Sequence, residues 1–556
     1  MSKIFGLIRN ELIKQYKKVS VKIILILVLI ASLAAPFVLK ALKSDDTLKW
    51  DIDNYENNIS YLNMDLQAID SSAKNADINK KVIQAEIDSY NLRIDNGIGW
   101  NDWRSDIIID NLYKETLLII LEGIKSGLTF EELMNNIYQV DAMEVENYYK
   151  KSNEEIQKEI DRLTLEVASE KKRIVENDYL GYLQGVIKET EKELEEEKKL
   201  LVALESELAK SVGNKALEQN IDNQKNRIAS KEELLKAYRY KYDNNVVYDS
   251  KDWRHRTVED IKISIDGKYE DLLSEEEFKQ NYTYEINANG YTYEKYKADR
   301  EERMNEATKS IALDWYSLEN NIPRVQFIDD ARNSLNSTYL VYISIAILLC
   351  IIIGGGIVSS EYSTGTIRLL MIRPVLRWKI LLSKLIAVFI IGYGAIFLLF
   401  ALNIVSSGMA HGFEGLSVPI LYIKDGVIVQ GSFILSLIPK LMFASISLVF
   451  IISAVFFLST VLRNTAVAVG ITMAGYFASM PATQIAANQG FTWIDKTFLP
   501  YVNLSTYVSG NSWVIDMLKQ CGLKLDPVFG AIYLLAISFI LITIAFIVFN
   551  KRDVTN

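Results

Sequence analysis

The stretch best equipped to act on something is Ile357–Lys384, IVSSEYSTGTIRLLMIRPVLRWKILLSK. One acidic side chain, Glu361, precedes five cations, Arg368, Arg373, Arg377, Lys379 and Lys384. These groups recognise and dock; none is arranged to break a bond. Glu361 and Tyr362 close a helix, and Ser363, Thr364 and Gly365 turn the chain. Thr366 is placed to cap a short helix with Ile367, Leu369 and Leu370 on one side, and Pro374 ends it. A short amphipathic helix of this kind lies on anionic lipid or seats its apolar side in a groove of a soluble partner. The residues alone favour neither.

Bond-making chemistry finds little footing elsewhere. The chain has two histidines, His255 and His411, and they stand apart. A zinc site needs clustered His, Cys or carboxylate ligands, and no such grouping occurs. HExxH, CxxC and Gly-rich phosphate-loop patterns are absent. Cys350 lies in an apolar run and Cys521 in a polar one, so no disulfide framework is expected. We therefore expect no catalytic, cofactor-binding or metal site in this chain.

The elements that must position the 357–384 stretch follow from the distribution of charge and apolar residues. Residues 40–337 hold 42 basic and 62 acidic residues; the rest of the chain holds 19 and 8. An acidic middle flanked by basic, apolar ends describes two physical environments, and the acidic middle repels nucleic acid. A helix crosses a bilayer with about 20 apolar residues. Six runs have that character and no charged interior residue: Ile23–Leu39, Tyr339–Val358, Leu385–Val405, Leu441–Thr460, Thr465–Met480 and Pro527–Phe549. They predict membrane helices at 23–39, 338–358, 385–407, 435–460, 465–481 and 527–549. The fifth is the shortest, ending at Pro481. Basic residues set the orientation. With the N-terminus inside, the inner segments 1–22, 359–384, 461–464 and 550–556 hold 14 Lys and Arg in 59 residues. The outer loops 408–440 and 486–526 hold 5 in 74. The expectation is a multi-pass cell-membrane protein with both termini cytoplasmic and residues 40–337 extracellular. The first run is read as an uncleaved signal anchor in preference to a signal peptide. Segment 486–526, with Phe491, Trp493, Phe498, Tyr501 and Trp513, suits either a re-entrant element or a loop with interfacial anchors.

The outer block reads as helical. Ile52, Tyr55, Ile59, Leu62, Leu66 and Ile69 recur at steps of three and four, as do Ile156, Ile160, Leu163 and Val167. Leu180, Leu183, Ile187, Leu194, Leu201, Leu204 and Leu208 form another seam, resumed after Gly213 by Leu217, Ile221, Ile228 and Leu235. These heptad-like patterns predict coiled-coil hairpins, with a turn at Gly213-Asn214. Gly97–Trp100 and Asn281–Tyr296 carry turn residues and aromatics suited to a small α/β head with a short strand hairpin. Aromatics such as Trp100, Trp103, Tyr282, Tyr291 and Tyr293 fill that head's core or meet a ligand, and core filling is favoured. The fold class is an all-α membrane protein: six transmembrane helices plus a large, mostly helical coiled-coil outer domain.

The order Glu361-Tyr362, Gly365-Thr366, Arg368-Leu369-Leu370, Arg373-Pro374, Arg377, Ser383-Lys384 resembles the permeases of type-2 ABC exporters. The basic turn Leu462-Arg463-Asn464 and the ending Phe549-Asn550-Lys551-Arg552-Asp553 add to the likeness, which covers the first 40 residues and 338–556. In that family the loop is a coupling helix seated on a separate ATP-binding subunit. The resemblance assigns this role to Glu361, Tyr362, Gly365, Thr366, Arg368, Leu369, Arg373, Pro374 and Arg377. It also implies a surface helix before the first span, with Ile4, Phe5, Ile8 and Leu12 on its apolar face. A second permease, itself or a sister chain, and ATP with Mg in the partner subunit are implied as well. The departure is the insertion of nearly 300 residues between spans one and two, where the family has a short connection.

The uncharged spans argue against ion coupling and fit an apolar or amphipathic cargo such as a lipid, an antimicrobial peptide or a drug. Gly354–Gly356, Gly392, Gly394, Gly470 and Gly475 permit close helix approach, within one subunit or across a dimer seam. The rival readings are a membrane-anchored coiled-coil scaffold or receptor of a secretion or surface system, and a sensor whose outer domain binds an extracellular peptide or protein.

Overall fold

A computed structural model describes residues 2–42, 46–134, 137, 140–210, 213–367, 375–509 and 513–551. The chain divides into two compact units, Lys43–Leu272 and a second built from Met1–Leu42 with Leu273–Asn556.

Among the described residues, the second unit holds six helices long and apolar enough to cross a membrane: Val19–Leu42, Ala331–Ser363, Arg377–His411, Phe433–Leu462, Thr465–Asn488 and Pro527–Lys551. This is a multi-pass helical membrane protein. We number these spans one to six and call Ser2–Lys17, which precedes span one, α1; the helix of span one is α2. Span two lies at the centre, with Ile343, Ala346, Ile347, Cys350 and Ile351 fully buried. Val388 of span three, Leu448, Ile452 and Val455 of span four and Leu534 of span six pack into the same core. Glycine makes this approach possible. A Cβ at Gly354 would come within 2.7 Å of Val455, one at Gly392 within 2.7 Å of Cys350 Sγ, and one at Gly355 would overlap Val469. These glycines serve packing inside one chain. Gly394, Gly470 and Gly475 have nothing within 4 Å of an added Cβ. Span five runs through Pro481 to Asn488.

Two polar pairings inside the bundle bridge neighbouring spans. Pro36 has no N–H, so the Ser32 carbonyl one turn earlier in span one loses its helical donor. The Tyr342 hydroxyl of span two donates to it at 3.1 Å. Asn403 of span three, fully buried, donates to Thr338 Oγ1 at 2.8 Å. Such pairings are what a bilayer demands of any freed backbone group.

The two-stranded sheet lies between spans three and four. Strands β1 (Ile420–Lys424) and β2 (Val427–Gly431) pair antiparallel, with Tyr422 opposite Val429. Asp425 and Gly426 both take positive φ, 52° and 78°, the turn that matches strand twist. The expected hairpin at 281–296 is instead helical, an outcome of aromatic clustering. Phe278 stacks with Tyr282 at 5.3 Å between ring centres and meets Tyr291, Tyr293 and Tyr296 within 5.7 Å. Tyr282, Tyr291 and Tyr293 thus fill a local core.

The regular elements of the unit Lys43–Leu272, among its described residues, are helices joined by turns: α3 (Asp46–Ala68), α4 (Ala76–Asp95), α5 (Arg104–Lys125), α6 (Phe130–Met134), α7 (Ala142–Tyr148), α8 (Asn153–Glu176), α9 (Tyr179–Leu208), α10 (Lys215–Asp243) and α11 (Trp253–Lys268). Ser152 and Glu155 form a reciprocal capping box that starts α8. Ile78, Val82, Leu117, Leu121, Ile156 and Leu163 join α4, α5 and α8 in one core. Helices α9 and α10 meet along the predicted seam, Leu194 with Ile228 and Leu235. The ion pairs Lys198–Glu232, Lys225–Glu205 and Arg239–Glu191 fix them as antiparallel. The turn between them contains Gly213 at φ 90° and the cap Asn214. Trp103 is buried in a third core with Ile107, Ile174 and Tyr179, and Trp100 lies against Tyr55.

Candidate functional site

The surface helix α1 carries an acid and an amide on its buried side. Glu11 and Gln15 are enclosed, while Ile4, Ile8 and Leu12 are half-buried and Phe5 is 79% exposed. The apolar arc expected of α1 is therefore shared: part rests on the bundle, and Phe5 projects outward.

Glu361 closes span two, where it is 1% exposed. Its Oε1 accepts from Lys384 Nζ of span three at 2.7 Å and from Lys14 of α1. Lys384, fully buried, also lies 3.1 Å from Glu11 Oε1. One lysine thus joins the foot of span two, the start of span three and the surface helix. Glu11 Oε2, Gln15 Oε1 and Glu361 Oε2 have no hydrogen-bond partner among the described residues. Burial first, then the neighbouring Lys14 and Lys384 ammonium groups, lower the pKa of Lys18 below the usual lysine range. Buried charge of this density is stable only while its partners keep their geometry.

Around this cluster the chain turns tightly. Ser359 Oγ donates to the Gly355 carbonyl at 2.6 Å, and the Ser459 hydroxyl of span four donates to that same carbonyl at 2.7 Å. Tyr362 lies under the Arg463 guanidinium, 4.4 Å from ring centre to carbon. Arg463 has φ 54° in the turn between spans four and five, and this contact joins the basic turn to the end of span two. Gly365 takes φ 69°, a conformation that favours glycine. Thr366 Oγ1 lies 3.0 Å from Thr364 Oγ1, and Ile367 is buried. Arg368, Leu369, Arg373 and Pro374 lie outside the described residues. Arg377 is the first residue of the span-three helix.

The structure brings Glu361 together with α1, and Tyr362 with Arg463. It adds four residues that were not read as one site: Glu11, Lys14, Lys384 and Arg463. A signal for them exists. Glu11 is the sole acid in residues 1–22 and Glu361 the sole acid in 359–384, each in strongly basic surroundings. Lys384 is a cation among Leu381, Leu385 and Val388, all buried. Among the described residues, no grouping of His, Cys, Asp and Glu could hold a metal ion.

No solved structure matches the chain. Residues 310–555 match a family described as a protein of unknown function (DUF2705), a range that takes in spans two to six. The chain is 31% identical over 255 residues to the uncharacterized protein YhcI of Bacillus subtilis (strain 168), a stretch covering 45% of this chain and 76% of that one. A membrane bundle with this degree of shared sequence over three quarters of YhcI belongs to the same family as YhcI.

Proposed function

We propose that this chain is the membrane-spanning permease subunit of an ABC exporter, driven by a separate ATP-binding subunit. Both termini lie in the cytoplasm and the helical insertion between spans one and two lies outside. The observation that carries the reading is the Lys384 cluster. It makes α1, the foot of span two and the head of span three one mechanical body, and the loop expected to meet the ATPase departs from that body. A push on the loop or on α1 then reaches spans two and three without loss in soft contacts. Two permease copies, or this chain with a sister chain, enclose the pathway, and a hydrophobic or amphipathic cargo moves outward between them. The chain itself is not an enzyme in this reading; ATP and Mg belong to the partner.

The size of the insertion favours a second reading, in which the outer domain receives a peptide or protein and the bundle relays or scaffolds that event. Purification in mild detergent separates the two: a stoichiometric ATP-binding subunit supports the exporter, and its reproducible absence supports the scaffold. A cysteine placed at Thr364 tests orientation directly. Labelling of that cysteine only from outside the cell would overturn the coupling scheme.

A further inference from the structure

We propose that the meeting point of α9, α10 and α11 is an acid-operated joint: protonation of His255 expels the Lys241 ammonium and releases α10 and α11 from α9. The geometry is a buried cation held by three helices. The Lys241 side chain, 1% exposed, donates to Tyr179 OH of α9 at 3.0 Å, lies 3.1 Å from His255 Nδ1 of α11, and pairs with Glu259 of α11. An ammonium has donors only, so His255 Nδ1 presents its lone pair and the ring is neutral with its proton on Nε2. A second proton on that ring would set two cations face to face at 3.1 Å in a dry site.

The carboxylates that act on His255, Glu259 and Asp252, already have partners. Glu259 already serves Lys241 and, at 2.9 Å, Lys262. Asp252 is engaged as the cap of α11. Tyr248 covers the imidazole edge-on at 4.7 Å, and Tyr179 stands at 6.4 Å. Asp102 and Arg104, paired to each other at 2.7 Å, act on Tyr248. Burial first and the Lys241 ammonium second hold His255 down to about 4. Burial also draws Lys241 down to about 8, outweighing Glu259. Glu259 is held to about 2, its burial overcome by Lys241 and Lys262. His255 has a lower pKa in the closed form than its free value of about 6.5, so the open form binds the extra proton. Closure therefore weakens as pH falls from about 6.5 towards 4, and Glu259 adds to the loss below about 4.5.

The cluster sits where the helices are jointed. Asn177, at φ 52°, links α8 to α9, and Asn245, at φ 52°, lies between α10 and α11. The Tyr248 hydroxyl donates to the Asn101 carbonyl in the loop between α4 and α5. Trp103 of that loop donates to Asn177 Oδ1 at 3.2 Å. Loosening this hub lets whole helices swing about existing breaks.

The test uses the full-length protein in lipid nanodiscs, with Cys521→Ser and spin labels at Gln184→Cys on α9 and Ile263→Cys on α11. Interspin distances measured by pulsed resonance should lengthen and broaden with a midpoint between pH 6.5 and 4. His255→Gln still accepts from Lys241 but cannot be protonated, and should lower the midpoint by at least one pH unit. Lys241→Met removes the opposing cation and leaves Glu259 to pair with a protonated His255, so the opening should disappear or its midpoint fall; this variant decides the matter should His255→Gln fail to fold. Unchanged distances down to pH 4 in the native protein, or a midpoint left in place or raised in either variant, would overturn the proposal.

Discussion

Lys384→Met removes one charge from the inner cluster and leaves the side-chain stem. In the native arrangement Lys384 lies 2.7 Å from Glu361 and 3.1 Å from Glu11, with side-chain exposures of 0%, 2% and 10%. After the change, Glu361 keeps Lys14, whose side chain is 46% exposed, while Glu11 loses its ion pair with Lys384. Breaking a buried ion pair from one side costs about 3–5 kcal/mol, because the abandoned charge stays desolvated. The surface helix reaches the bundle through Glu11 and Gln15, so the cost should appear as local release of α1. At about 1.4 kcal/mol per decade, amide exchange along α1 should quicken by between about 10²- and 10⁴-fold, capped when α1 is fully open. Hydrogen-exchange mass spectrometry in nanodiscs reads this directly. Adding Glu11→Gln and Glu361→Gln removes the stranded charges, and exchange should return to within about tenfold of the native rate. Native exchange rates in the single variant would refute the view that Lys384 binds the three elements together.

Three further outcomes are expected, each read as a change in thermal unfolding of the full chain. Tyr342→Phe leaves the Ser32 carbonyl without a donor and should cost about 1–3 kcal/mol; Pro36→Ala, which restores the backbone N–H, should abolish most of that difference. Gly355→Ala forces its new methyl into Val469 and should cost about 1–3 kcal/mol, whereas Gly394→Ala meets open space and should stay within about 0.5 kcal/mol. Tyr362→Leu removes the ring beneath Arg463 and should cost about 0.5–2 kcal/mol, with Tyr362→Phe close to native.

Apolar runs of membrane length can be read by counting, because a bilayer accepts no other composition. That is why the six membrane-length helices and the heptad seam of α9 and α10 were legible residue by residue. Gly213-Asn214 announced its turn for the same local reason. The strand hairpin was equally local, since Asp425-Gly426 sits between two β-rich runs, yet Asn281–Tyr296 looked more like strand until Phe278 gathered its tyrosines into a helical knot. Packing of rings from separate turns is a three-dimensional event that a linear pattern does not display. The same holds for charge. The sequence shows Glu11, Glu361 and Lys384 as isolated residues far apart along the chain; only the tertiary structure decides that they share one buried site, because ion pairing depends on distance in space. Tyr342 and Ser32, or Lys241 and His255, tell the same story. What the chain determined unaided is which segments leave water and which turn. Which polar groups then satisfy one another was left to the fold.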